Sequence, residues 1–356
     1  VGPNGQLLHP PHGQTTEFLE GQKTRSFLMI RVAMLFVVTF MVAVVDAEDK
    51  LPQDLLAESE VQPVTELVFT EGPAYHKDGS VYYTEIAGNQ ILRLAPGAEL
   101  ADTFLRPSGR ANGLMFDANG GLLACEGNEK GGLGGRRITR IDTVTKQRTV
   151  IVDNYQGKRF NSPNDLCVDN SGRIYFTDPY YGPDRDQLEL DTEGVYRVDS
   201  DGKNVVRVLD KEVARPNGIA ISKNNLTLFV VDNQPLIPVR KLWAFELDDK
   251  GIPTGRRREL HDFGKGRGGD GMCIDEEDNL YVTAGANRNY TNQNTDNRAG
   301  VYVFNAKGKH VGVIPIPEDM VTNCCFGGPD KKTLYVTAGK TLWKIQTKIA
   351  GRTAFP

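Results

Sequence analysis

Residues 215–233 read RPNGIAISKNNLTLFVVDN: an Asn-Gly step, a short apolar run, a polar turn, and a second apolar run ending on an acid. The same phrase returns five more times. It appears as FTEGPAYHKDGSVYYTE (69–85), ANGLMFDANGGLLACE (111–126), SPNDLCVDNSGRIYFTD (162–178), GGDGMCIDEEDNLYVTAG (268–285) and VTNCCFGGPDKKTLYVTAG (321–339). A third strand-like run follows each, such as RRITRID (136–142) or KLWAFELD (241–248). Several units add a fourth, such as RTVIVD (148–153) or HVGVIPI (310–316). The phrases align on Glu71, Asn112, Asn164, Asn217, Asp270 and Asn323, separated by 41, 52, 53, 53 and 53 residues. Four short strands in a unit of roughly 50 residues is the repeat of a propeller blade. An open solenoid or a sandwich has similar strand content, but six alike units without enlarged caps favour circular closure. The expected fold is therefore all-β, a six-bladed β-propeller with four-stranded blades. An exposed edge would invite pairing, so one blade must be completed from both chain ends. Val61–Phe69 is the expected supplier, beside the strands of Gly327–Gln346, which makes residues 60–350 one domain.

Composition agrees. Thirty-eight glycines in 356 residues exceed the roughly 7% of ordinary globular chains and suit many tight turns. Forty-two basic against 46 acidic residues give a net charge of −4, so no bulk positive field recruits nucleic acid. The five cysteines (Cys125, Cys167, Cys273, Cys324, Cys325) are odd in number and form no C-x-x-C. Buried free thiols are expected rather than zinc or a disulfide framework, with a strained Cys324–Cys325 bond as the alternative.

One apolar stretch stands outside the repeat. Val32–Val45 reads VAMLFVVTFMVAVV after Lys23, Arg25 and Arg31 and before Asp46-Ala47-Glu48. These three zones resemble a secretory signal, and the run is shorter than the roughly 20 residues of a spanning helix. Residues 1–48 are read as an amino-terminal lead with a signal peptide, Met29 as a candidate start, and 49–356 as the catalytic propeller. The expected location is secreted or periplasmic; an uncleaved membrane anchor or a cytoplasmic protein is the alternative.

In a propeller the starts of the innermost strands face one axial volume. Glu71, Asn164, Asn217 and Asp270 then become neighbours: two carboxylates and two amide oxygens. Such a cluster is costly to bury without a compensating cation. Hard oxygen donors suit one divalent cation, Ca²⁺ first, with Mg²⁺, Mn²⁺ or Zn²⁺ as alternatives. Asn-Gly and Asp-Gly are also ordinary turn formers, so the argument rests on the shared phase. Asn112 and Asn323 are expected in the channel wall, with Asn112 able to meet substrate. Asp165, the one carboxylate at the next phase, is expected beside the metal or the substrate.

Hairpin length suggests a second ring. Glu85, Glu126, Asp178 and Asp232 lie 14 or 15 residues beyond their inner partners, which returns them to the same end of each blade. Asp178 is the preferred substrate-facing acid, and Arg159, Tyr180 and Tyr181, which flank the same unit, are candidates to recognise a polyhydroxylated or anionic substrate, with surface packing as the alternative. No G-x-S-x-G elbow and no strand-linked G-x-G-x-x-G occurs, and His76, His261 and His310 miss the inward phase.

Glu71-Gly72-Pro73, Asn161-Ser162-Pro163-Asn164-Asp165, Pro216-Asn217-Gly218-Ile219 and Asp270-Gly271-Met272-Cys273-Ile274-Asp275 together resemble the senescence-marker/gluconolactonase family, over roughly residues 60–345. Regucalcin-type members carry an Arg two residues before the Asn-Asp pair, whereas Arg159 lies five before Asn164; Ser162-Pro163 is closer to the microbial sugar lactonases. The resemblance implies a divalent metal, often Ca²⁺, on residues matching Glu71, Asn164, Asn217 and Asp270. It also implies a substrate-facing acid at Asp165 and hydrolysis of aldonolactones. The expected activity is metal-dependent opening of a sugar lactone, a small-molecule substrate, with Asp270 or Asp165 taking the proton from water. No obligate protein partner is evident. The rival readings are a phosphotriesterase-like hydrolase of the same fold, a calcium-dependent sugar-binding propeller, and a protein-interaction scaffold.

Overall fold

A computed structural model describes residues 57, 62–66, 69–128, 134–234, 239–288 and 295–353. These all lie in one compact unit spanning residues 47–356. The expected signal segment and the location it implies concern residues outside those described.

Six four-stranded antiparallel sheets follow one another along the chain. Blade 1 runs from Thr70–Tyr75 to Asp102–Leu105, blade 2 from Ala111–Phe116 to Arg148–Val152, and blade 3 from Leu166–Val168 to Val206–Leu209. Blade 4 runs from Pro216–Ile221 to Pro253–Asp262 and blade 5 from Gly269–Ile274 to His310–Pro315. Blade 6 takes three strands from Val321–Gly327, Thr333–Ala338 and Thr341–Gln346, and its outer strand is Gln62–Glu66 from the amino-terminal side. The expected closure is therefore observed.

The first strand of each blade is the innermost, and these six strands pack in a closed ring, blade 6 against blade 1. Buried apolar side chains collect between blades. Ala220, Phe229 and Val231 of blade 4 pack with Met272, Val282 and Phe304 of blade 5, and Cys167 and Tyr175 of blade 3 pack with Ile219 and Val230 of blade 4. The interface that closes the circle, Val81, Tyr83, Leu92 and Leu94 against Leu342, is the smallest of these clusters among the described residues. Hydroxyl clamps support it. Thr322 Oγ1 donates across the seam to the Thr70 carbonyl at 2.8 Å, and Thr283 Oγ1 bridges blade 5 to the Thr322 carbonyl, also at 2.8 Å.

Between inner and second strands, acids organise the tight turns. Asp117 Oδ1 accepts the Asn119 and Gly121 N–H groups, and Asp275 Oδ1 accepts those of Glu277 and Asn279. A side chain doing the work of a turn acceptor explains the Asp-rich hairpins. All five cysteines are free thiols. Cys324 faces Cys273 of the neighbouring blade, Sγ to Sγ at 3.3 Å, rather than bonding to Cys325.

Candidate functional site

In five blades the ladder between inner and second strands slips where the inner strand begins: at Glu71/Ala74, Ala111/Leu114, Pro216/Ile219, Gly269/Met272 and Val321/Asn323. An extra residue in one strand re-aims the side chains beside it. These bulges carry Glu71, Asn112, Asn217, Asp270 and Asn323, and the Asn164-Asp165 pair sits at the matching place just before Leu166. The glycine that follows is a packing requirement. A Cβ on Gly218 would overlap the Asp270 carbonyl oxygen, and one on Gly72, whose φ is +46°, would overlap that of Asn112. Each inner strand thus rests directly against its neighbour's donor residue.

Glu71, Asn164, Asn217 and Asp270 are all buried. Glu71 is raised well above the usual carboxylate range, first by burial and then by the charges of Asp270 and Asp165. Burial also raises Asp270, opposed by the Arg267 guanidinium and by hydrogen bonds from Asn217 and Arg267. Asn217 therefore touches Asp270, and its Nδ2 also donates to Tyr181 Oη at 3.0 Å. Asn164 is tied to blade 2 through its carbonyl, which accepts the Gly113 N–H at 2.7 Å. Among the described residues no three His, Cys, Asp or Glu side chains are grouped to hold a metal.

Asp165 and Asn323 come from blades on opposite sides of the ring, 158 residues apart in sequence, and join across the axis, Asn323 Nδ2 to Asp165 Oδ2 at 3.2 Å. The Leu166 N–H donates to Asp165 Oδ1 at 2.9 Å. Burial pushes Asp165 up to about 7 despite these donors. Below this crossbar the channel becomes an apolar cavity of about 110 Å³, lined by Phe116, Val168, Ile221, Ile274 and Phe326 and reaching Arg352. Asp165 thus stands at the floor of the cluster and feels the charge of Asp270.

The second ring needs correction. Asp178 is 0% exposed, and its carboxylate takes the Asn161 and Ser162 N–H groups at 2.8 and 2.7 Å. It pins the loop leading into Asn164 and is not presented to substrate. Asp232 does the same for Ala214 and Arg215. Glu126 is spent on Arg137, Thr139 and Arg148. Arg159 is exposed on the Asn154–Arg159 hairpin, its backbone N–H on Glu189, so the recognition role expected for it has no support from the axial cluster. Asn112 is half-buried, and its backbone carbonyl accepts the Thr84 hydroxyl at 3.0 Å.

Two groups at the centre were not read from the sequence. Arg267 Nη2 donates to Asp270 Oδ2 and, at 2.9 Å, to the Val321 carbonyl of blade 6, so a guanidinium shares the acidic site. Its place three residues before Asp270 was the available signal. The second group is the buried pair in which Glu193 receives Arg215 at 2.8 and 3.0 Å and the Tyr180 N–H at 2.9 Å. Arg215 lies over the Tyr181 ring at 5.1 Å.

The fold and the axial oxygen cluster define a class: six-bladed propellers with a polar site at one end of the central channel. Within it, residues 69–340 match the model of the SMP-30/Gluconolactonase/LRE-like region, and the chain belongs to that family. It is 33% identical over 312 residues to a gluconolactonase of Zymomonas mobilis, covering 81% of each chain. It is 25% identical over 271 residues to a pentonolactonase of Haloferax volcanii, covering 75% of this chain and 80% of that one. The structure of a gluconolactonase from Xanthomonas campestris superposes with a TM-score of 0.71 at 29% identity, covering 84% of this chain and 94% of that chain.

Proposed function

We propose that this chain is a metal-dependent lactonase that opens sugar aldonolactones. The observation that carries the reading is the buried meeting of Glu71, Asp270 and Asn217 at the axis, with Asp165 beneath. Burial raises Glu71 and Asp270 toward the protonated form, and the charges of Asp270 and Asp165 raise Glu71 further; a hard cation is the natural compensation for such a set. The donors fit it: Glu71 and Asp270 supply charge, while Asn164 and Asn217 supply oxygens without further charge. Tyr181 holds the Asn217 amide by its nitrogen, which leaves the amide oxygen for the cation. Ca²⁺ is the expected ion. Bound there, it would polarise the lactone carbonyl and stabilise the charge that develops when water adds.

The remaining chemistry belongs to the chain. Asp270, with one oxygen held by Arg267, is positioned to take the proton of the attacking water through the other. Asp165, joined to Asn323 below, fixes the floor and adds charge next to that acceptor. The lactonase relatives support an aldonolactone as the small-molecule substrate. Acid release from glucono-δ-lactone and an aldonic γ-lactone tests this, after chelation and after restoring Ca²⁺, Mg²⁺, Mn²⁺ or Zn²⁺. Activity lost on chelation and restored by one ion is expected. No lactone hydrolysis with any ion, or faster turnover of a phosphotriester, overturns the reading.

A further inference from the structure

Tyr181 is 46% exposed, yet its hydroxyl reaches inward to Asn217 at 3.0 Å and feels the charge of Asp270. Its ring therefore runs from solvent to the edge of the donor cluster and forms part of the entrance wall. Arg215 covers the ring at 5.1 Å, and Arg215 is itself clamped by two hydrogen bonds to buried Glu193. Glu193 also receives Arg185 at 2.5 Å and the Tyr180 N–H. A large aromatic residue left open to solvent, and backed by so much buried ion pairing, is held ready for a ligand rather than left over from packing.

From this placement we infer that Tyr181 is the platform on which the substrate ring lies, and that its hydroxyl positions Asn217 at the catalytic centre. The inference rests on the lactonase reading. A sugar lactone presents polarised C–H groups on its ring faces and hydroxyls at its edge, which suits an electron-rich ring ending in a phenol. The Asn217 nitrogen, donating to the phenol, is fixed on that side, so the amide cannot turn its oxygen away from the cation position. The two functions of the side chain are separable, because phenylalanine keeps the ring and loses the hydroxyl.

Steady-state kinetics at saturating Ca²⁺, with calorimetric Ca²⁺ titration of the same proteins, tests both. Tyr181→Ala should raise KM for glucono-δ-lactone about tenfold while kcat stays within about threefold, as loss of a binding face predicts. Tyr181→Phe should keep KM within about threefold of wild type but weaken Ca²⁺ binding about tenfold, as loss of a group that orients a metal ligand predicts. An unchanged KM in Tyr181→Ala removes the platform, and unchanged Ca²⁺ affinity in Tyr181→Phe removes the positioning role. Failure of the lactonase reading looks different, because wild type itself would then open no lactone.

Discussion

The two ends of the axial channel are built from the same six strands and have opposite characters. At their starts these strands carry Glu71, Asn112, Asn164, Asn217, Asp270 and Asn323; three or four residues later they carry buried or half-buried Tyr75, Phe116, Val168, Ile221, Ile274 and Phe326. The upper end keeps charges in contact with one another and leaves Tyr181 partly in solvent. The lower end is apolar and is crossed by the carboxy-terminal segment. There the Gly351 N–H bonds to the Lys331 carbonyl of the blade 6 hairpin at 2.7 Å, and the Arg352 N–H to Ile274 of blade 5 at 3.0 Å. The Arg352 guanidinium then reaches the Ile221 carbonyl of blade 4 at 2.6 Å and Asn170 of blade 3 at 2.8 Å. One segment thus ties four blades together beneath the cavity. The lower opening is tied by the carboxy-terminal segment and the proposed chemistry lies above the Asp165–Asn323 crossbar, a division that a propeller allows because each strand delivers different side chains to the two openings.

Paired substitutions at the two ends should break this symmetry most visibly. Asp270→Asn should lower kcat/KM by about 10²–10³-fold, the scale of a lost charge-stabilising group, and weaken Ca²⁺ binding in titration, with little change in unfolding. Arg352→Ala should do the reverse. Two hydrogen bonds to neutral oxygens are removed, so denaturant unfolding should show a loss of about 1–3 kcal/mol, with kcat and Ca²⁺ affinity at wild-type values. Equal effects of both substitutions on both readouts would erase the division.

Within the upper end, Arg267 and the proposed cation should oppose each other. The guanidinium acts on both Glu71 and Asp270 and would stand beside any ion they bind. Arg267→Gln should tighten Ca²⁺ binding about tenfold, the size expected for removing one nearby like charge at the edge of solvent. It should also lower the melting temperature of the chelated protein. Calorimetry and thermal melts measure both, and weaker Ca²⁺ binding would mean that Arg267 orients Asp270 rather than competing for it.

A further effect is one of pH. Asp165 and Asp178 are each held at about 7 by burial, against about 4 in an unfolded chain. Between about pH 4 and about pH 7 the folded state therefore binds more protons than the unfolded state, and its stability falls as pH rises through that window. The chelated protein should melt at a lower temperature at pH 7.5 than at pH 5.5. Ca²⁺ should narrow the gap, because cation binding favours the charged forms of the upper cluster. A melting temperature that rises with pH in the chelated protein would contradict the burial of these acids.

Recognising the blades required only local information. An apolar run, an Asp-bearing turn and a second apolar run can be read within 20 residues, and six repetitions, the last five spaced by 52 or 53 residues, imply a ring. The phase of Glu71, Asn164, Asn217 and Asp270 was legible for the same reason. The second ring shows where such reading stops. Hairpin length placed Asp178 and Asp232 at the correct end of their blades, but not the N–H groups of Asn161, Ser162, Ala214 and Arg215 that already occupy them. A carboxylate's position along a strand follows from counting, whereas its availability depends on which loop folds over it.

Sequence by itself determined the repeat, the closure of blade 6 by Gln62–Glu66, and the set of residues facing the axis, because a strand's period and a blade's length are properties of consecutive residues. Tertiary structure alone decided that Asn323 meets Asp165 across the channel, that Arg267 shares the acids, that Tyr181 reaches Asn217, and that Arg352 ties blades 3 and 4 from below. Each of these joins groups brought together only by circular packing or by the path of a loop, and their hydrogen bonds and charges act over a few ångströms of space, whatever the separation along the chain.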